Sequence, residues 1–168
     1  TAEVIKSSIR IVGVNKESKW ISSSFFMVSP NNIAYTFSDC GVIPEPSSEQ
    51  LVSIAYQASI THKMLANEDP KIAFLSFSTK GSADHYKVKR IRAAVQKFSK
   101  KYPEIVHDGE LQFDAAIDLN VSNKKIKNSK LNGEANVFVF PDLDSANIAY
   151  KITQYLAGYN AWGPLLNG

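Results

Sequence analysis

Asn136-Val-Phe-Val-Phe-Pro-Asp-Leu-Asp-Ser-Ala-Asn-Ile-Ala-Tyr-Lys151 holds a short apolar run, a turn, and the first turns of a helix. Residues 136–140 are β-branched or aromatic apart from the leading Asn, the composition of a strand buried on both faces. Pro141 ends that run, and Asp142, Asp144 and Ser145 supply the short acceptors that start helices. Residues 143–157 then read as a long helix, with Gly158 as its stop. A strand handing straight to a helix is half of a βαβ unit, and the phrase recurs upstream. Residues 71–77 form a buried strand before a helix over 84–101, whose apolar stripe is Val88, Ile91, Val95 and Phe98. Residues 105–107 add a short strand. The clearest helix covers 47–67: Ser47 and Gln50 make a capping box, and Leu51, Ile54, Ala58 and Leu65 lie on one face.

Alternating strands and helices after residue 47 predict a largely parallel sheet with helices on its faces. Ahead of them, residues 20–28 and 33–37 are rich in aromatic and β-branched residues and flank Ser29-Pro-Asn-Asn32, which reads as a hairpin turn. The expected architecture is one α/β domain over residues 1–168, a three-layer sandwich of mostly parallel sheet plus a β-hairpin. Residues 1–12 predict a further helix, with Ile5, Ile9 and Val12 on one side and Gly13 at its end. Residues 124–133 read as a long polar connection.

Composition excludes several classes. A 168-residue chain can bury a substantial core, and 44% hydrophobic with 21% charged residues is ordinary for a globular protein. The net charge of +3 is too small for a nucleic-acid binder. No apolar run reaches membrane-spanning length and these residues show no signal-peptide pattern, so neither nucleic acid nor membrane is an expected partner. A single cysteine, Cys40, rules out an internal disulfide framework and fits a cytoplasmic protein. The chain opens on Thr1 with no Met and is expected to be part of a longer protein.

In open α/β sheets, ligands bind beyond the carboxyl ends of the strands. Three segments are expected there. Ser78-Thr79-Lys80-Gly81-Ser82 could offer backbone N–H groups and a cation to a phosphate, or be a loop of capping hydroxyls; it lacks P-loop spacing. Asp108-Gly-Glu110-Leu-Gln112 places two carboxylates around a glycine, which could polarise a group or hold a cation. Alternatively, Asp108 caps a following short helix and Glu110 complements its dipole. Asn147 and Lys151, four apart, share a helix face near its start, a donor and a charge suited to phosphate or simply a solvated surface. His62, His85 and His107 lack metal-ligand spacing, so no metal is expected. The basic run over 87–101, with Arg90 and Arg92, reads as a solvated helix face.

Four collinear segments carry a resemblance. Ser76-Phe-Ser-Thr-Lys-Gly-Ser-Ala83, Asp108-Gly-Glu-Leu-Gln-Phe-Asp-Ala-Ala-Ile117, the run from Pro141 to Lys151, and Gly163-Pro-Leu-Leu166 together resemble the phosphate acetyltransferases (phosphotransacetylases) over nearly the whole chain. The resemblance implies an isocitrate-dehydrogenase-like domain. It also implies the reaction acetyl-CoA + phosphate ⇌ acetyl phosphate + CoA, with coenzyme A as substrate, no separate cofactor, and a homodimer. Residues 78–82, Asp108, Glu110 and Gln112 would line the cleft, and Asn147 and Lys151 would face it. Asp39-Cys40 matches the family's Asp-Cys pair. Thr1 becomes a candidate contact because Thr1-Ala-Glu-Val-Ile-Lys6 is similar to the family's Ser-Thr-Ala-Asp-x-x-Arg-Pro helix. Here Lys6 and Ser7 replace the usual Arg and Pro, exchanging a bidentate fork for a point charge. The resemblance implies that the catalytic Ser and Arg belong to a Lys-Pro-x-x-Asp-Leu-Ser-Arg-Gly segment expected beyond Gly168, with a catalytic Asp a little later, so no residue of this chain is assigned a catalytic role. The implied alternatives are a phosphate butyryltransferase, or a non-catalytic regulatory or dimerisation domain of the kind fused to malic enzymes.

Overall fold

The computed structural model describes residues 19–168 together with Glu3 and Ser7. Of the expected helix over 1–12 only Glu3 and Ser7 are described, both helical, while Thr1 and Lys6 lie outside the described residues. The hairpin forms as the turn residues dictate: β1 (Ser22–Val28) and β2 (Ala34–Ser38) pair antiparallel, with Val28 opposite Ala34 and Asn32 in the left-handed region. Next, α1 (Ser48–Ala66) starts at a capping box, in which Ser47 Oγ accepts from the Gln50 N–H and Gln50 Oε1 accepts from the Ser47 N–H. β3 (Lys71–Leu75), α2 (Tyr86–Lys101) and β4 (Val106–Leu111) follow. Two short helices, α3 (Phe113–Ile117) and α4 (Leu119–Lys125), lead to β5 (Val137–Val139). The chain ends with α5 (Leu143–Ala157), closed by left-handed Gly158, and β6 (Asn160–Asn167).

The six strands form one sheet in the order β4-β3-β5-β2-β1-β6. The first four are parallel to their neighbours, and β1 and β6 add the antiparallel edge. Alternation along the inner strands splits the core in two. Ile72, Phe74, Val137 and Val139 face Leu51, Ile54 and Ala58 of α1 and Ile91 and Phe98 of α2. Ala73, Leu75 and Phe138 face the other way, with Phe37, Leu111, Ala115 and Ala146. This is the expected three-layer α/β arrangement.

The departures have local causes. Leu65 is half exposed, because the last turn of α1 carries it past the cover of the sheet, and the buried position one turn earlier is His62. Ala94 is more buried than the expected Val95. The polar connection at 124–133 begins inside α4 and buries Ile126 and Leu131. β6 has no sequence expectation, since Gly163-Pro164 interrupts any strand pattern. It survives as an edge strand, where a proline removes no essential ladder bond. Gly163 is required because a Cβ would lie 2.8 Å from the Phe25 ring.

Candidate functional site

The carboxyl ends of β2, β3, β4 and β5 share one edge of the sheet, and the sequence candidates gather there in two groups. The first joins residues 78–82 to β4. Strand β4 runs on through Asp108 and Glu110 to Leu111, so neither carboxylate caps the helix that follows; Gln112 occupies that cap position, without a side-chain cap bond. Gly109 lets the strand continue, because a Cβ would sit 2.8 Å from both Phe74 Cβ and Val95 Cγ2. Glu110 is buried at 2% exposure and takes bonds on both oxygens. Arg92 donates from Nε to Oε2 at 2.9 Å and from Nη2 to Oε1 at 3.0 Å. Ser78 Oγ donates to Oε1 at 2.9 Å, and the Gly81 N–H at 2.7 Å. Burial, the largest single influence, pushes the Glu110 carboxyl up, but Arg92, Gly81 and Ser78 together override it and hold it down at about 2. Lys80 pairs with buried Asp108 and donates to the Gly109 carbonyl at 2.9 Å. Gln112 donates its N–H to Thr79 Oγ1 at 2.9 Å, and Thr79 Oγ1 donates to Gln112 Oε1 at 3.2 Å.

The N–H groups of this loop, which the sequence left as either phosphate donors or part of a capped loop, are engaged by the loop itself and by Glu110. Ser78 N donates to Ser76 Oγ, Thr79 N to Ser82 Oγ, Lys80 N to the Glu110 carbonyl and Ser82 N to the Thr79 carbonyl. What the loop presents outward is Lys80 and Gly81, beside a cleft of about 320 Å³ that Arg92 and Gln96 also line. Arg92 is therefore not a solvated-face residue. Nor is Arg90, which pairs with Glu45 at 2.8 Å and donates to the Pro141 carbonyl at 2.9 Å. The available signal was residue type: the two Arg positions of a Lys-rich helix are those that need a planar fork.

The second group surrounds the start of α5. Asp142 caps the helix by accepting from the Ser145 N–H at 3.0 Å and pairs with Lys87 at 3.1 Å. Asn147 Nδ2 donates to the Cys40 carbonyl at 3.3 Å. Lys151 is exposed, its Nζ 5.8 Å from the Tyr150 ring centre, and has no salt-bridge partner among the described residues. Beneath them Asp39 is buried and collects five donors, a role the sequence reading missed. Its signal was an Asp directly after a strand and before Gly41, a turn-forming pattern. Cys40 is buried, and burial, seconded by Asp39, pushes its thiol up, so it is a structural cysteine and not a nucleophile. A wider groove of about 760 Å³ lies between α1, α2 and the end of β6, lined by Tyr56, Tyr102 and Lys101 among others; it contains none of the candidate residues.

A largely parallel-stranded three-layer domain with capped loops and cationic side chains along its carboxyl edge defines a ligand-handling α/β class. The chain is more specific than that. The model of the family described as "phosphate acetyl/butaryl transferase" matches residues 1–168, and the chain belongs to this family. It is 43% identical over 173 residues to a phosphate acetyltransferase of Thermoanaerobacterium thermosaccharolyticum, covering 100% of this chain and 53% of that protein. The corresponding figures for the Bacillus subtilis phosphate acetyltransferase are 41% over 168 residues, 100% and 51%. A phosphotransacetylase structure from Streptococcus pyogenes superposes with a TM-score of 0.93 at 38% identity, over 100% of this chain and 51% of that one. The chain thus spans about half the length of the relatives it matches.

Proposed function

We propose that this chain is one domain of a phosphate acetyltransferase, which carries out acetyl-CoA + phosphate ⇌ acetyl phosphate + CoA. The observation that carries the reading is identity above 40% across the whole chain to proteins named for that activity. The carboxyl edge supports it chemically. Lys151 offers an exposed cation with no salt-bridge partner among the described residues, and Asn147 lies one turn before it on the same helix. Lys80, although paired to Asp108, borders an open cleft. Such groups hold phosphoryl oxygens by charge-assisted hydrogen bonds. Transfer also requires loss of the CoA thiol proton, whose free value is about 8.5, and stabilisation of the growing charge on the carbonyl oxygen. In this reading the base and the oxyanion donors come from outside residues 1–168, and coenzyme A is a substrate with no further cofactor.

A homodimer in the cytoplasm completes the proposal. Its support is an apolar stripe on α5, where Ile148, Ile152, Tyr155 and Leu156 are more than half exposed, as is Trp162 on the neighbouring β6. Two measurements test the assignment. The isolated 168-residue chain should give no thioester from acetyl phosphate and CoA in an absorbance assay; turnover like that of an intact relative overturns the division of labour. In the full-length protein, Lys151→Ala should lower kcat/KM for a phosphate-bearing substrate by roughly one to two powers of ten, the value of a charge-assisted bond in a partly desolvated cleft. Unchanged kinetics would make Lys151 a solvated surface residue.

A further inference from the structure

The Asp39 carboxylate lies immediately after β2 and is 3% exposed. Its Oδ1 accepts from the Ser23 N–H at 3.0 Å, Ser23 Oγ at 2.8 Å, the Gly41 N–H at 3.0 Å and the Val42 N–H at 3.2 Å. Its Oδ2 accepts from the Ile43 N–H at 2.8 Å. Among the described residues no cation pairs with it. Three consecutive amides turned inward onto one carboxylate fix the path of residues 40–43 and leave neighbouring carbonyls facing outward. Two of those carbonyls meet α5. The Cys40 carbonyl accepts from Asn147 Nδ2 at 3.3 Å, and the Pro44 carbonyl accepts from the Leu143 N–H at 3.0 Å.

We propose that Asp39 is a positioning residue, whose carboxylate shapes the 40–44 loop as the seat for the first turns of α5 and so sets where Asn147 and Lys151 point. The role rests on the reading of Asn147 and Lys151 as phosphate-holding groups. Asp39 touches no substrate in it; it acts through Cys40 and Pro44. Helix α5 does not depend on Asp39 for existence, because Asp142 caps it and Lys87 pairs with Asp142. Loss of the carboxylate therefore loosens the seat without melting the helix. An Asn in its place keeps one acceptor but turns an NH2 donor onto amides that are themselves donors.

The test is Asp39→Asn in the full-length protein, alone and combined with Asn147→Ala. The expected result is a rise of roughly tenfold in KM for phosphate or CoA with kcat within about threefold, and a double variant no worse than the weaker single by more than about twofold, because coupled residues are non-additive. Hydrogen exchange gives a second readout: the amides of residues 143–147 should exchange roughly tenfold faster, while those of β4 stay unchanged. Additive kinetics, or a uniform rise in exchange across the domain, would overturn the positioning role. If Asn147→Ala and Lys151→Ala are both kinetically silent, the phosphate reading fails by itself, and exchange alone then decides whether Asp39 seats α5. Should Asp39→Asn not fold, Ser23→Ala removes a single donor from Oδ1, and a local acceleration at 143–147 of two- to threefold is expected. No acceleration there sinks the proposal.

Discussion

Glu110 and Asp39 are both buried carboxylates at the carboxyl edge of the sheet, and they are held by opposite means. Glu110 has a full counter-charge, the Arg92 guanidinium, on two bonds, with Ser78 and Gly81 filling the remaining acceptor positions. Asp39 has no cationic partner among the described residues and is held by four backbone N–H groups and one hydroxyl. An ion pair depends on a partner that reaches water, since the Arg92 side chain is 37% exposed. A cage of amides depends only on backbone shape. The first arrangement joins a loop to a helix across the sheet edge, and the second makes a loop rigid in itself.

The comparison breaks most visibly by neutralising each acid. Asp39→Asn should lower unfolding stability by about 3 kcal/mol, because two or more buried groups are left facing donors without an acceptor. Glu110→Gln should cost less, about 2 kcal/mol, since Arg92 can turn to solvent. Urea unfolding of the two variants measures the order, and the reverse order would mean that the ion pair dominates.

Acid sharpens the same contrast. Glu110 titrates at about 2 in the fold, against roughly 4.3 in an unfolded chain. Its contribution is fully present above about pH 5 and is lost as pH falls through 2. The stability gap between the native protein and Glu110→Gln should therefore close between pH 5 and 2. A gap that stays constant would show that the charge is not what holds the loop.

His62 gives a smaller effect of the same sign. Burial pushes its imidazole down, partly opposed by Glu68, while the ring accepts or shares a proton with Thr36 Oγ1 at 3.0 Å. Below about pH 6.5 the unfolded chain binds a proton that the fold refuses, so stability falls on acidification. His62→Gln should flatten the pH 7 to 5 part of the thermal-midpoint profile and leave the share of His107, also pushed down by burial. An unchanged slope would place the proton elsewhere. The smallest effect belongs to salt. Raising ionic strength to about 1 M should weaken the Glu110 clamp by less than roughly 0.5 kcal/mol and the Asp39 cage not at all.

Sequence patterns captured what depends on period and capping. The hairpin around Ser29-Pro-Asn-Asn32, the box at Ser47 and Gln50, and the Gly158 stop all form as local chemistry dictates. They failed where tertiary contacts decide. Nothing in Asp108-Gly-Glu110 announces that the strand continues, because the space that demands Gly109 is made by Phe74 and Val95 from distant segments. Arg92 looked like one more exposed base, since its partner Glu110 lies on another element. The carboxyl-edge location of residues 78–82, 108–112 and 147–151 was legible from strand–helix alternation. The internal use of the loop amides was not, because hydrogen-bond partners thirty residues away leave no mark on spacing.

Strand β6 pairs with β1 from Ser22 opposite Asn167 to Val28 opposite Asn160, with an irregularity between Ser24 and Phe26. The first and last described strands are therefore neighbours at the antiparallel side of the sheet, joined across most of the chain. During synthesis the parallel strands and both core clusters can assemble while the second neighbour of β1 is still unmade, so an incomplete chain presents the far side of β1 as a bare edge. Contacts of such long sequence separation carry the largest loop-closure entropy and slow folding. Until β6 arrives, that edge is the surface most open to pairing with another chain.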